Sequence, residues 1–298
     1  MSQDSDSPVN VDAHTSASPS PGLQIPPDAK RPASFAAYMI RLWLSRMSTA
    51  TTLEFVEGIR QLEAISPVPR WGLFGGCCIS SVFFRHLSPI LKELYSIDID
   101  FTTELVAEID TEKQAFICAQ TPPEWLVGDV KQLDSESGFN LMATSKRPTL
   151  YPSTHMMDAG VPCVSVSPLS RSQVKNKGCV QKETASTGQG FKNTFAIVRR
   201  HKPKIITFEC VQMTTTQTES GVSDQAWITE EMKAGADGGW SHCESLDAHD
   251  FGSYASRVRP YWVTIPDIKS TDMYNEVTVY FRRLLNSFKI PEPLDWVS

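Results

Sequence analysis

Apolar residues recur at three and four spacing from Ala36 to Leu44 and again from Leu53 to Leu62, which predicts two helices parted near Ser48 to Thr52. Downstream the pattern changes. Trp71-Gly72-Leu73-Phe74 is a short apolar strand running into Gly75-Gly76, and a longer apolar segment, Val82 to Leu94, follows. Strand, tight turn and helix in that order is how many doubly wound folds bind a nucleotide-like ligand. Glu104 to Asp110 reads as a second strand ending in acid-apolar-acid, and the wide gap after Gly76 implies an insertion around Tyr95 to Thr103. Gly128-Asp129-Val130 follows another short apolar stretch. Gly188-Gln189-Gly190-Phe191 leads into a helix over Phe195 to Arg200, and Ile205 to Val211 is a buried strand carrying Glu209 near its end. Asp250 to Val263 reads as a strand with Arg257 and Arg259 on one face. Met273 to Phe288 is a single strand or helix before Pro291 and Pro293.

Residues 1–31 are rich in Ser, Pro and Asp and have too few apolar residues to offset the entropy of ordering them, so they are expected to form a disordered tail. The rest of the 298 residues, 41% of the whole being hydrophobic, is enough for one domain over 32–298. The seven cysteines are odd in number and lack paired C-x-x-C spacing, which points to reduced thiols rather than a disulfide framework or a zinc cluster. His242 and Cys243 have no second ligand pair and read as surface residues. There is no apolar run of spanning length and no secretory start, so the expectation is a soluble protein of the nucleus or cytoplasm, with no membrane partner and no metal.

A net charge of −6 does not by itself suggest nucleic-acid binding. The charge is uneven, however. Arg171, Lys175, Lys177, Lys182, Lys192, Arg199, Arg200, Lys202 and Lys204 are opposed over that run only by Glu183, and an acidic stretch follows to Asp250. Such a run is by default a solvated face; it also has the composition of a basic patch placed just after the stretch considered next.

That stretch is Asp158-Ala159-Gly160-Val161-Pro162-Cys163-Val164-Ser165-Val166-Ser167. A cysteine after a turn proline is, taken alone, most often a buried structural residue. Here it stands in order with Phe74-Gly75-Gly76, Glu108-Ile109-Asp110, Gly128-Asp129-Val130, Phe208-Glu209-Cys210-Val211 and Arg257-Val258-Arg259. In that order the motifs resemble those of the cytosine-C5 DNA methyltransferase family over roughly Trp71 to Val263. The resemblance implies an α/β, Rossmann-like methyltransferase fold with a doubly wound, mostly parallel sheet. It implies S-adenosylmethionine as cofactor, held by Phe74, Gly76, Glu108, Ile109 and Asp129. It further implies catalysis by Cys163 as the nucleophile that adds to C6 of cytosine and by Glu209 at the ring N3, with Arg259 at the C2 carbonyl and Arg257 positioning the Cys163 loop. DNA is the implied partner, with tRNA the alternative offered by the family's RNA-acting branch.

Several positions depart from the family's pattern. Gly72 stands where an acid is usual, Cys78 where the second glycine is usual, Cys210 for an asparagine and Ala255 for a glutamine. A target-recognition region and the two terminal motifs are not recognisable, so a partner supplying recognition is one expectation, and the helices over Ala36 to Leu62 are expected in the place of the missing terminal helix. These departures support a second reading, a methyltransferase-like binding or regulatory module without turnover.

Overall fold

The computed structural model describes residues 32–290 apart from 77–78, 146, 168–177, 213–217, 219–220 and 254. The tail expected over 1–31 and position Cys78 lie outside the described residues. Two helices come first, α1 (Pro32–Arg46) and α2 (Thr49–Glu63). Ser48 separates them because its hydroxyl oxygen accepts the Thr51 N–H at 3.2 Å and satisfies a free amide of the first turn of α2.

The sheet then builds up in alternation with helices: β1 (Val68–Leu73), α3 (Ile79–Tyr95), β2 (Phe101–Ala107), α4 (Thr111–Gln120) and β3 (Trp125–Val127). A small hairpin, β4 (Ser137–Gly138) and β5 (Thr149–Leu150), precedes β6 (Met156–Gly160), α5 (Ala185–His201), β7 (Ile205–Glu209) and α6 (Asp224–Gly235). The chain closes with β8 (Trp240–Asp247), β9 (Val258–Ile265) and α7 (Thr271–Phe288). The spatial order is β3-β2-β1-β6-β7-β9-β8. Pairs from β3 across to β7 are parallel, and β9 runs antiparallel to both of its neighbours. This is a doubly wound, Rossmann-like α/β fold with a mostly parallel sheet. Its strand order reverses between β1 and β6, and the crevice above their carboxyl ends is where such sheets bind ligands.

Some expected elements shift. No insertion fills Tyr95 to Thr103: Tyr95 closes α3, Phe101 to Thr103 open β2, and the link between buries Ile97 and Ile99 against Leu44, Leu87 and Leu91. β8 has no counterpart in the expected elements. His242 and Cys243 lie on it and are half-buried rather than on the surface, with His242 stacked on Trp240 at 5.7 Å and paired with Glu244 at 3.0 Å. The segment Met273 to Phe288 is helix, and α1 packs along α3, with Trp43 6.3 Å from Phe83 and Arg41 paired with Glu93 at 2.5 Å. The early helices therefore lie against the helix that follows the Phe74 turn.

Alternation along the strands gives the sheet two different faces. Trp71, Leu73, Met157, Ala159, Phe208 and Trp262 point to the core shared with α5 and α6. The opposite face, toward α1 and α3, takes Val68 and Met156 but also Arg70, Asp158, Glu209 and Arg259. One face is apolar; the other holds the chemistry.

α5 begins ten residues earlier than the expected Phe195, so its two glycines lie inside the helix. A Cβ at Gly188 would meet the Cys179 carbonyl oxygen at 2.2 Å, and one at Gly190 would meet Val161 Cγ1 at 2.8 Å. The missing side chains let the helix press against the chain on either side of Cys163. Gly190→Ala is expected to cost about 1–3 kcal/mol by overpacking, less roughly 1 kcal/mol of recovered helix propensity. Gly188→Ala, whose clash is with backbone, is expected to cost more; denaturant unfolding of the two variants checks this order.

His201 closes α5 with its ring 4.6 Å from Trp71 and Nε2 donating to the Leu133 carbonyl at 2.8 Å. Burial holds its pKa below the ordinary histidine value, with Arg200 adding to the shift and the Leu133 and Ser135 backbone and Asp134 opposing it. His86 and His155 are displaced the same way, again mainly by burial. A lowered folded-state pKa means that the neutral form stabilises the fold, fully above the unfolded pKa of about 6.5 and less at each step below it. The melting temperature is expected to fall on acidification below about pH 6.5. In His201→Gln that fall should be shallower; an unchanged slope would show that another group sets it.

Candidate active site

β6 ends at Gly160 and the chain turns through Val161, Pro162 and Cys163. The N–H groups of Val166 and Ser167 donate back to the Cys163 carbonyl at 3.1 and 2.8 Å, closing a tight turn directly after the thiol. The first turn of α5 holds this loop from behind. Thr187 Oγ1 donates to the Pro162 carbonyl at 2.7 Å and receives the Ser165 N–H at 3.3 Å, while the Ser165 and Ser186 hydroxyls lie 2.8 Å apart. Cys163 is partly buried against the main core, and Val164 beside it is 66% exposed. The thiol thus sits at a boundary between core and solvent.

Glu209 ends β7, beside Gly160 of β6 and Tyr261 of β9. Arg259 Nε approaches Glu209 Oε1 at 3.2 Å, but off the angle of a hydrogen bond, and this buried nitrogen has no hydrogen-bond partner among the described residues. Arg259 Nη1 donates to the Val258 carbonyl at 2.8 Å. The Tyr261 phenol is pushed up by burial, with Glu209 adding to the shift and Arg257 and Arg259 opposing it, which places all three charges around one ring.

Arg257 is the exception among the expected catalytic set. It precedes β9 rather than lying within it and is exposed. Asp247 at the end of β8 accepts the Arg257 N–H at 2.7 Å and the Ser256 hydroxyl at 2.5 Å, which holds this stretch out of the ladder. Among the described residues, no hydrogen bond or ion pair joins the Arg257 side chain to the Cys163 loop. Cys210, at the position where an asparagine would brace that loop, is buried and donates its N–H to the Pro260 carbonyl at 3.2 Å. Burial pushes its thiol up to about 12, and the nearby Cys163 and Glu209 add to the shift. Cys163, Cys210, Glu209 and Arg259 therefore share one neighbourhood at the carboxyl ends of β6 and β7.

On the other side of the switch point, Phe74 and Gly76 both adopt left-handed backbone, with φ of 56° and 52°. That conformation suits glycine and strains phenylalanine. Gly75 donates its N–H to the Ala107 carbonyl at 3.0 Å and Gly76 to Glu108 Oε2 at 2.8 Å. Glu108, buried just past the carboxyl end of β2, accepts the Asp110 N–H through Oε1 at 2.9 Å. A carboxylate has about four acceptor positions, so two sites remain on a side chain whose orientation is fixed. Ile109 next to it is 72% exposed, and Asp129 caps the 3-10 turn after β3 by accepting the Lys131 N–H at 3.0 Å. A fixed acid, a free apolar side chain and a second acid on adjoining strand ends are a donor set that fits a nucleoside with ribose hydroxyls and a base face.

A cavity of about 1530 Å³ opens on the α1–α3 face, with Trp43, Phe83, Phe84, Phe251 and Tyr261 in its walls. Tyr261 connects it to Glu209 and Arg259. The residues expected to hold the cofactor do not line it.

The basic run does not form one patch. α5 is 17 residues long, which spans about 25 Å, and it carries Arg199, Arg200, Lys202 and Lys204 to the amino ends of the strands, away from Cys163. Lys204 and Ile205 donate their N–H groups to the His155 carbonyl, just before β6 begins. Lys192, Arg199, Arg200, Lys202 and Lys204 each lie within ion-pair distance of a carboxylate. Arg171, Lys175 and Lys177 lie outside the described residues. Three side chains at the site were not singled out by the sequence reading: Arg70, Ser80 and Asp158. The signal available was a charge inside each of two otherwise apolar strands.

No protein-family model matches the chain, and no curated protein matches it. A solved structure described, provisionally, as a DNA modification methyltransferase encoded within a prophage (E. coli) aligns with a TM-score of 0.41 and 14% sequence identity. The alignment covers 66% of this chain and 46% of that one, so this chain spans less than half of that protein's length. No described helix is long and apolar enough to cross a membrane.

Proposed function

We propose that this chain is an S-adenosylmethionine-dependent methyltransferase acting at C5 of cytosine in DNA through a covalent Cys163 adduct. The observation behind the reading is the meeting of Cys163, Glu209 and Arg259 at the carboxyl ends of β6 and β7, next to the switch point of the sheet. Cytosine C5 is a poor nucleophile. Addition of the Cys163 thiolate to C6 turns C5 into an enamine carbon, and Glu209, sharing a proton with the ring N3, offsets the electron density that builds there. Once C5 carries the methyl group, loss of its proton to solvent expels the thiolate from C6 and restores the ring. Arg259, turned toward Glu209, is suited to the C2 carbonyl. Cys210 stays a thiol at neutral pH because burial disfavours its charge, so it does not compete with Cys163 for the ring.

S-adenosylmethionine, when bound, supplies the methyl group as an electrophilic sulfonium. In this reading Glu108 holds the ribose hydroxyls, Ile109 covers one adenine face and Asp129 takes the adenine amino group, with the turn at Phe74 and Gly76 shaping the wall. A cytosine inside a duplex cannot reach the thiol, so the base must be extruded, and the aromatic walls beside Tyr261 offer a surface for it. The α5 cations toward the far end of the sheet are poorly placed to grip the backbone at that point. Backbone contacts fall instead to Arg257 or to a partner that also supplies sequence recognition.

Transfer of labelled methyl from S-adenosylmethionine to duplex DNA and to bulk tRNA tests the reading. Label on DNA should be abolished in Cys163→Ala and reduced about 10²–10⁴-fold in Glu209→Gln. Label on tRNA alone would move the substrate to RNA, and cofactor binding without transfer to either polymer would favour the binding module.

A further inference from the structure

Arg70 and Asp158 interrupt two strands that are otherwise apolar at the centre of the sheet. Arg70 is 1% exposed, and its Nη2 donates to Asp158 Oδ1 at 2.7 Å. Its guanidinium carbon stands 4.1 Å over the Phe84 ring, and its Nε and Nη1 are buried without a hydrogen-bond partner among the described residues. The other carboxylate oxygen, Oδ2, receives the hydroxyl of Ser80, the second residue of α3, at 2.8 Å. A buried guanidinium with two nitrogens unsatisfied, paired to a partly exposed carboxylate, is poor packing, and well-fitted apolar side chains in the same place would often be as stable or more so. Stability alone does not account for it.

The location of the carboxylate does. Asp158 pairs with Gly72 across β1 and β6, and a Cβ on Gly72 would come within 3.7 Å of Oδ2. The acid absent from position 72 thus has a counterpart at nearly the same point, delivered from the neighbouring strand. The chain leaving β1 makes the left-handed turn at Phe74 and Gly76 and re-enters regular structure at α3. Glu108 fixes the first side of that turn through the Gly76 N–H, and Asp158 fixes its exit through Ser80. Cys163 lies five residues beyond Asp158 on the same strand and loop.

We propose that Asp158, supported by Arg70, is a positioning residue that sets the turn at Phe74 and the Cys163 loop relative to one another. One carboxylate holds both the start of α3 and the strand that delivers the nucleophile. The assignment rests on the reading of the Phe74 turn as part of a nucleoside site.

The test uses the full chain with four variants: Arg70→Met/Asp158→Leu, Ser80→Ala, Asp158→Ala, and Asp158→Ala/Gly72→Asp. Each is followed by melting temperature, by hydrogen exchange at the Gly75 and Gly76 amides, and by calorimetric binding of S-adenosylhomocysteine. The apolar pair should melt at or above the parent temperature. Its two amides should nevertheless exchange faster, and its affinity should fall by about ten-fold, the scale on which loss of a supporting side chain is felt at a binding site. Ser80→Ala should move both readouts in the same direction, and Gly72→Asp should recover part of what Asp158→Ala loses. Parent-like exchange and affinity in a folded apolar-pair variant would overturn the proposal. If that variant does not fold, unchanged exchange in Ser80→Ala, which leaves the ion pair intact, overturns it instead. If the parent chain binds no S-adenosylhomocysteine, the nucleoside reading fails while the exchange data still decide whether Asp158 holds the turn.

Discussion

A buried guanidinium and a partly exposed carboxylate, joined across β1 and β6, sit on the seam of the sheet, where the strand order reverses and the two windings of the fold meet. Backbone hydrogen bonds join these strands as they join any parallel pair, but they do not choose which side chains face each other. The Arg70–Asp158 pair links two specific positions across the seam. Slipping the register would part the buried Arg70 charge from its carboxylate, a cost added to the loss of the ladder bonds. Two loops that are distant in sequence are aligned as a consequence. One leaves β1 at Phe74 and the other leaves β6 at Cys163.

The same seam explains why the sheet has unlike faces. Toward α5 and α6 the strands present Trp71, Phe208 and Trp262, with Phe191 packed against Phe208 and Trp262, a core with little room for a charge. Toward α1 and α3 the strand ends present Asp158, Glu209 and Arg259 close to an aromatic cavity. Low dielectric beside charges that are already paired is the setting in which electrostatic effects on a bound group are strong. The apolar face secures the strands against movement, which is what allows the other face to hold imperfectly satisfied groups such as Arg259 Nε.

Much of the order of elements was legible in the chain because it is local. Ser48 breaks the first two helices by capping the second, and Glu108 closes a strand that is apolar before it. What was not legible depends on pairing. β8 reads as loop because Ser241, His242, Cys243, Glu244 and Ser245 show no apolar alternation; as the outer strand it is held by its ladder to β9 instead. Gly188 and Gly190 concealed the first half of α5, and with it the length that carries the later cations to the opposite end of the sheet. Asp158 opened the stretch that drew attention to Cys163, yet its relation to Gly72 and Ser80 exists only once the strands are in register. Arg257 was misplaced for a similar reason, since Asp247 captures its backbone before the strand begins.

Cys210 gives the site an asymmetry that reaches beyond catalysis. Two sulfurs lie close together at the ends of neighbouring strands, but one is sealed among core side chains and keeps its proton to about pH 12. The other stands at the solvent boundary beside an exposed valine. Of these two sulfurs, a small electrophile or oxidant entering from solvent therefore meets that of Cys163, and the rate at which Cys163 is labelled measures how open its loop is.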